Sequence, residues 1–379
     1  MEGRSPGKDL DVETGSFTVG VEEEFHVVDG ESLELRSAVR GVLGSARRSL
    51  GDQVQAELLD PQIEVETSIC TSLAEVRAEL NRLRAGLVSA AESRGRRILP
   101  SGTHPFSTWE RQGVTPQPRY RQLADDYRQL AREQLVCACH VHVAVRDPEA
   151  VVAVMDRTRP WLAILLALSA NSPFWEGVDT GYASYRTAVL DRWPTTGTPI
   201  PLGSRAAFDA LVRDLLATGV IRDTGALYWD VRPSARYPTL EFRVADVCPT
   251  VDEAVMLAGL VRSLVRMCHG QEMRGEPVDH PRPELVRAAR WRASRSGLDG
   301  ELVNLVGPRP VPAAGLVERL LKLLRDDLED HGEWDEVSSL VRQQLGRGSG
   351  ARRQRQIAER GGPRAVAEHL LLPVDSSVP

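Results

Sequence analysis

Lysine is nearly missing from this chain of 379 residues: among 47 basic side chains only Lys8 and Lys322 are lysines. Lys8 lies in a polar N-terminal stretch and Lys322 in the apolar run Leu320-Leu321-Lys322-Leu323-Leu324, so neither follows a GxxxxG loop. A P-loop, whose lysine must follow such a loop directly, is excluded. If this chain handles nucleotide phosphates, arginines and metal ions must meet them. Long apolar runs are lacking too. The longest, 161–170, is half of the roughly 20 residues a membrane helix requires. The polar, acidic residues 1–15 lack the basic and then apolar run of a secretion signal. A cytoplasmic protein without membrane contact is expected. Cysteine is sparse: Cys70, Cys137, Cys139, Cys248 and Cys268 form no CxxC pair, and an odd count suits buried thiols in a reducing compartment better than a disulfide framework. Excess positive charge is absent as well. A net charge of -6 argues against nucleic acid as the main partner, because neutralising phosphates needs a basic surface. Small charged substrates remain.

What is present is a set of strands with one apolar and one charged face, interleaved with long helices. Over 17–28, Val19, Val21, Phe25 and Val27 alternate with Gly20, Glu22, Glu24 and His26, and Glu23 interrupts the apolar side. Further extended segments are expected at 56–59, 62–67, 97–99, 136–145, 227–232 and 239–244. Helices are expected over 37–49, 73–93, 119–135, 148–168, 204–217 and 251–268. The second is opened by a capping box of Ser72 and Glu75 and carries an apolar stripe of Leu73, Val76, Leu80, Leu83 and Leu87. Beyond 268 the chain reads as helical and arginine-rich, with a break at 346–350. The loop 100–118 is long enough to suggest a functional role. The loop-rich stretch 171–203 carries Trp175, Tyr182, Tyr185 and Trp193, aromatics suited to core packing or to a substrate pocket. The charged faces are unlike the continuous apolar strands of a covered parallel sheet. An α+β fold is therefore expected, its antiparallel sheet packed on helices on one face and open as a site on the other. A tail over 1–15, a single catalytic domain over 16–372 and a tail over 373–379 are the expected divisions.

Four strands place charged or imidazole groups two residues apart, hence on one face: Glu22 and Glu24, Glu64 and Glu66, His140 and His142, Glu241 and Arg243. Glu57 adds a carboxylate just upstream. Carboxylates so close repel one another unless a cation lies between them. Any single pair is as readily the solvated face of an edge strand. The opposite faces, with Ile63 and Val65, with Val141, Val143 and Val145, and with Leu240, Phe242 and Val244, are apolar in every case. One sheet lined with ligands on its open side explains all four together. His-x-His on a strand also suits zinc and a metal-dependent hydrolase. The abundance of glutamates favours magnesium or manganese.

These residues fall in the motifs TVGVEEEF (18–25), QIEVET (62–67), LPSGTHPF (99–106), CHVHV (139–143), WDVRP (229–233), TLEFRVADVCPT (239–250) and GARRQR (350–355). With them the chain, over 17–367, resembles the carboxylate-amine ligases of the glutamate-cysteine ligase type 2 group. Their fold is similar to glutamine synthetase, with a curved antiparallel sheet and a metal-lined funnel. The resemblance implies metal ligation by Glu22, Glu24, Glu57, Glu64, His140 and Glu241, with Glu57 carried by its spacing ahead of Glu64. It implies phosphate contact by Arg243, acting with Glu241 in catalysis, and substrate-carboxylate or phosphate contacts by Arg232 and Arg186. It implies ATP and Mg2+ (or Mn2+) as cofactors, and joins glutamate to cysteine or another amine through an acyl phosphate. Activity toward cysteine need not be strong. The chain departs from the family pattern at Ala138, Cys139 and Ala144, none of them a proposed ligand. A ligase scaffold kept only for binding ranks last, since the main glutamates are all in place. GARRQR reads either as a flap over the site or as an exposed helix start. A homodimer would be unsurprising.

Overall fold

The computed structural model describes residues 17–36, 39–278 and 280–374. The expected tail over 1–15 lies outside the described residues. So do residues 37–38, where the first helix was expected to begin, and 375–379 of the C-terminal tail. The strands are β1 (Val19–Asp29), β2 (Val54–Ala56), β3 (Gln62–Glu66), β4 (Arg96–Leu99), β5 (Ala138–Ala144), β6 (Phe174–Trp175), β7 (Val178–Asp179), β8 (Val231–Pro233), β9 (Thr239–Asp246), β10 (Glu301–Asn304) and β11 (Arg309–Pro312).

β1 organises the main sheet because it is long enough to serve several partners. Its middle, Glu22 to His26, pairs with β3 along one edge, while along the other edge β5 pairs with its first part and β4 with its last. The resulting order is β2-β3-β1-β5-β9-β8 with β4 beside β1, and every pairing is antiparallel. The expected α+β class and antiparallel sheet are what the chain adopts.

One face of this sheet is covered by helices. Val19 and Val21 of β1, Val141 and Val143 of β5, and Leu240, Phe242 and Val244 of β9 form one buried cluster with side chains of the helices Leu73–Glu92, Pro148–Thr158, Leu162–Ser169 and Val251–Met273. Phe25, Val27, Ile63 and Val65 join a second cluster with the helix Val39–Leu50. Burying one such side chain contributes roughly 1.5–3 kcal/mol, so the alternation in sequence decides which face turns inward. Glu23, which seemed to interrupt that face, is part of the packing. Arg84 of the helix Leu73–Glu92 grips its carboxylate at 2.9 and 2.5 Å and also donates to the carbonyls of Cys248 and Pro249 at 2.8 and 3.1 Å. That helix is capped by Ser72, whose Oγ accepts from Glu75 N at 3.2 Å. The Glu75 carboxylate turns to the backbone N–H of Thr71 at 2.7 Å, one residue earlier than a reciprocal capping box would place it.

Several boundaries differ from the expected ones for local reasons. The helix over 119–135 is two pieces, Pro118–Tyr127 and Gln129–Arg132, because Arg128 sits at φ 52. The helix over 148–168 is interrupted by the tight turn Arg159–Trp161, where Pro160 has no N–H to continue the ladder. The strand expected at 227–232 shrinks to β8 behind a turn at Thr224–Ala226. Within 171–203, β6 and β7 close a hairpin whose two turn residues, Glu176 and Gly177, both have positive φ, as a primed turn requires. The hairpin of β10 and β11 corrects the all-helical reading of the C-terminal third. No helix among the described residues is long and apolar enough to cross a membrane.

Candidate active site

The register of the sheet converts four separate sequence pairs into one continuous row. Glu22 faces Glu66 and Glu24 faces Glu64 across β1 and β3. Glu22 faces His140 across β1 and β5, His142 faces Glu241 across β5 and β9, and Glu241 faces Arg232 across β9 and β8. Directly opposed residues share a face, so carboxylates and imidazoles all emerge on the side away from the helices. Glu57 follows β2 immediately, and its N–H meets the Gln62 carbonyl at 3.5 Å, which brings it beside Glu24 and Glu64.

Three overlapping groups have ligand atoms within 4.8 Å of one another: Glu22, Glu64 and His140; Glu22, His142 and Glu241; Glu24, Glu57 and Glu64. All six sequence-derived metal candidates are therefore brought together, and His142 joins them. Neither imidazole stands apart from the glutamates. His140 Nδ1 lies 3.0 Å and His142 Nε2 3.2 Å from the Glu22 carboxylate, while Thr239 Oγ1 is 3.0 Å from His142 Nδ1. Among the described residues no group joins both histidines at a single point, which does not suit the zinc pair of a hydrolase.

The charges are unevenly compensated. Burial pushes Glu57 up to about 8, helped by the neighbouring Glu24 charge. Burial and then the charges of Glu22, Glu57, Glu24 and Glu66 raise Glu64 well above the carboxylate range. Burial and Glu22 raise Glu66 as well. Glu22 goes the other way: burial opposes ionisation, but hydrogen bonds with His140 and His142 outweigh it and hold its carboxyl well below the usual value. Burial also favours a charged-group penalty at His140, which is lowered with help from Arg243, whereas at His142 the Glu22 hydrogen bond overcomes burial and raises it. A cluster in which carboxylates keep protons for want of positive charge is one that a divalent cation with oxygen ligands would relieve. These residues fit such an ion.

The three expected arginines have different partners. Arg232 donates from Nε and Nη2 to Glu241 at 2.8 and 3.1 Å and from Nη1 to the carbonyls of Leu227 and Gly225 at 2.6 and 3.0 Å. Its fork is committed to holding Glu241. Arg186 donates to the carbonyls of Arg243 and Val244 at 3.0 and 3.4 Å, beside the buried Asp246. Arg243 also pairs with Glu241, the one hydrogen-bond partner of its guanidinium among the described residues, which leaves most of its fork available. Burial raises the Glu241 carboxyl, yet the Arg243 and Arg232 charges prevail and drive it far down.

These residues line a cavity of about 540 Å³ that includes all nine expected site positions. Gln55, Gln62, Tyr120, Trp193 and Tyr228 are further lining residues that the sequence did not single out as site groups, except Trp193 as a candidate pocket aromatic. Gln55 faces Glu64 in register, a relation that appears only once β2 is paired with β3. The loop 100–118 does not line this cavity. His104 fixes it in the core: Nδ1 accepts from the N–H groups of Phe106 and Ser107 at 3.2 and 2.8 Å, and Nε2 donates to the Leu33 carbonyl at 3.0 Å. GARRQR is no flap either. It opens the helix Gly350–Leu370, and Arg353 and Arg355 pair with Glu253 and Asp179 at 2.5 and 2.7 Å, away from the cavity lining. Cys137 and Cys139 are buried and Cys139 packs in the apolar cluster, as expected of inert thiols.

Comparison with known proteins places this geometry in a lineage. A protein of Frankia alni that carries the provisional name glutamate–cysteine ligase 2-2 is 45% identical over 362 residues, covering 92% of this chain and 94% of its own. The crystal structure of a glutamate–cysteine ligase from Francisella tularensis in complex with AMP superposes with a TM-score of 0.70 at 12% identity, covering 98% of this chain and 91% of that one. A bifunctional glutathione synthetase from Pasteurella multocida gives the same TM-score at 15% identity, covering 93% of this chain but 51% of its own. At such identities the two structures speak for the shared fold alone. The sequence profile of glutamate-cysteine ligase family 2 matches residues 18–370, and with a near-full-length relative at that identity the chain belongs to this family.

Proposed function

We propose that this protein is an ATP-dependent ligase that forms a gamma-glutamyl amide bond, with glutamate as carboxylate donor and cysteine as the first acceptor to test. The observation that carries the reading is the row of undercompensated carboxylates beside Arg243 on the floor of one cavity, in a chain of this family. The match across 18–370 favours reading residues 16–372 as one catalytic domain.

Amide formation in water is uphill, so the carboxylate must be activated. The donor carboxylate attacks the terminal phosphoryl of ATP, ADP departs, and the amine then displaces phosphate from the acyl phosphate. Magnesium, or manganese, would be held by Glu22, Glu24, Glu57, Glu64, His140 and Glu241 and would neutralise phosphate oxygens. Arg243 supplies a fixed fork of donors to the phosphoryl in transfer, where positioning and charge stabilisation matter more than covalent help. Arg232 and Arg186 act from behind: one clamps Glu241, the other fixes the β9 backbone at Arg243 and Val244. Trp193, Tyr228 and Tyr120 give the cavity an aromatic wall that excludes water from the reacting atoms. No lysine and no cysteine nucleophile is needed.

The test is ADP release from ATP and magnesium with glutamate present and each amino acid offered in turn. Release that needs both glutamate and one amine is expected. Release with no pair, while another carboxylate donor supports it, would replace glutamate; release with no donor at all would overturn the ligase reading.

A further inference from the structure

A second cavity, of about 630 Å³, lies on the far side of Trp193, between the turn Arg159–Trp161, the loop that follows Trp193 and the helix Pro283–Ser296. Trp193 lines both cavities; the glutamate row lines only the first. Its size is ordinary for a small-molecule site.

The wall contains a buried cation that no carboxylate contacts directly among the described residues. Arg159 is 1% exposed, and its Nε donates to the Pro199 carbonyl at 2.5 Å. Its Nη1 is buried with no hydrogen-bond partner. Asp156, three residues earlier, does not pair with it: Oδ2 of that carboxylate accepts from the N–H groups of Leu202 and Gly203 at 2.9 and 2.7 Å. The Asp156 charge compensates Arg159 from a distance, but a buried guanidinium with an unpartnered N–H group is still costly, and it cannot shed its proton to escape the cost. Arg290, the other buried arginine of the wall, is paired with two carboxylates by contrast, Asp230 at 2.7 Å and Asp191. Arg287, one turn earlier on the same helix, is exposed and makes no contact ion pair among the described residues, although its charge acts on Asp191 of the same wall.

We infer that this cavity binds a small organic anion, with its carboxylate or phosphate group on Arg159 and Arg287 and its carbon frame against Trp193 and Trp291. Thr196 and Thr198 stand in the same wall as hydroxyl partners. Arg159 supplies the charge that burial makes strong, and Arg287 steers the ligand from the rim. An occupant would also press on residues tied to the catalytic floor: Thr198 Oγ1 donates to Asp230 at 2.7 Å, and the Asp230 carbonyl accepts from Arg243 N at 2.8 Å.

Equilibrium dialysis of the full chain in EDTA tests this, with labelled inorganic phosphate in one arm and labelled succinate in the other. Without divalent metal the first cavity lacks the ion that would join a phosphate to its carboxylates, and the Arg159 and Arg287 variants assign a saturable site to the second cavity. One saturable site per chain is expected for at least one probe, and which arm binds separates a phosphate ligand from a carboxylate ligand. Arg159→Met should weaken it roughly 10- to 100-fold, the scale of a charge-assisted hydrogen bond. Arg287→Glu, at an exposed position that should leave folding intact, should weaken it about fivefold or more by reversing the rim charge. Absence of saturable binding in both arms would overturn the proposal. So would binding that Arg287→Glu, and Arg159→Met where it folds, leave unchanged.

Discussion

Glu22, Glu23 and Glu24 are consecutive on β1, yet the sheet sends them into opposite environments. Glu23 is fully buried on the helix side, where Arg84 meets both its oxygens, and the arginine's remaining donors reach two backbone carbonyls. Glu22 and Glu24 emerge on the other side among Glu57, Glu64, Glu66 and two histidines. The first arrangement is complete within the protein and serves packing. The second has more negative charge than its arginines balance, and Glu57 and Glu64 respond by retaining protons. Burial alone therefore does not mark a functional carboxylate. What marks it is a charge the fold gathers and leaves uncompensated.

The largest effect is expected from breaking the completed side. Glu23→Gln strands Arg84 as a buried, half-satisfied cation and should lower unfolding free energy by about 3–5 kcal/mol, measured by urea denaturation. Turnover of the folded fraction should change little. A loss of activity without a loss of stability would mean that Glu23 belongs to the site. The mirror experiment, Glu64→Gln, should reduce turnover by roughly 100-fold or more, on the scale of removing one fixed electrostatic group from a reacting centre. It should leave metal-free stability equal or higher, because glutamine is neutral there without having to take up a proton. Unchanged turnover would remove Glu64 from the site.

The same contrast has a pH signature. Folded and metal-free, Glu57 keeps its proton up to about 8, whereas the unfolded chain loses it near the ordinary 4.5. Between those values the native state binds more protons than the unfolded one, so its stability falls as pH rises through that window. Glu24 and Glu22 face Glu57 and add to the effect, while Arg243 opposes it. A divalent ion replaces the proton and cancels the loss. The melting-temperature gain on adding magnesium should thus be greater at pH 8.5 than at pH 6, by on the order of 2 °C or more. Equal gains would show that the ion does not bind at Glu57.

How much of this the sequence discloses follows from the length scale of each signal. Alternation is local, so the charged faces over 17–28, 62–67, 136–145 and 239–244 are legible, and so is their apolar reverse. The face is visible but the neighbours are not: that Gln55 opposes Glu64, or that Glu22 takes hydrogen bonds from two histidines, depends on the pairing of strands that are separate in the sequence. Glu23 misleads for the same reason, since its partner Arg84 lies 61 residues away on a helix. Proline and glycine can hide elements as well. The β10–β11 hairpin carries Pro310 and Pro312 in one strand, which obscures alternation and lets the helices around it dominate the pattern. Loop 100–118 is long and rich in turn residues, but its first part, through Pro105, is buried and none of the loop lines the cavity.

The smallest of these effects concerns the border between the two regimes, at Glu241. That carboxylate belongs to the open row, yet Arg232 grips both its oxygens much as Arg84 grips Glu23. If the Arg232 fork only positions Glu241, a lysine there keeps the charge but loses the second contact and the contacts to Leu227 and Gly225. Arg232→Lys should then lower kcat about 10-fold, corresponding to one lost charge-assisted hydrogen bond, with KM for ATP nearly unchanged. A rise in KM for ATP or for glutamate at constant kcat would place Arg232 in direct contact with that substrate. It would also move the boundary between structural and functional charge one strand outward, from β9 to β8.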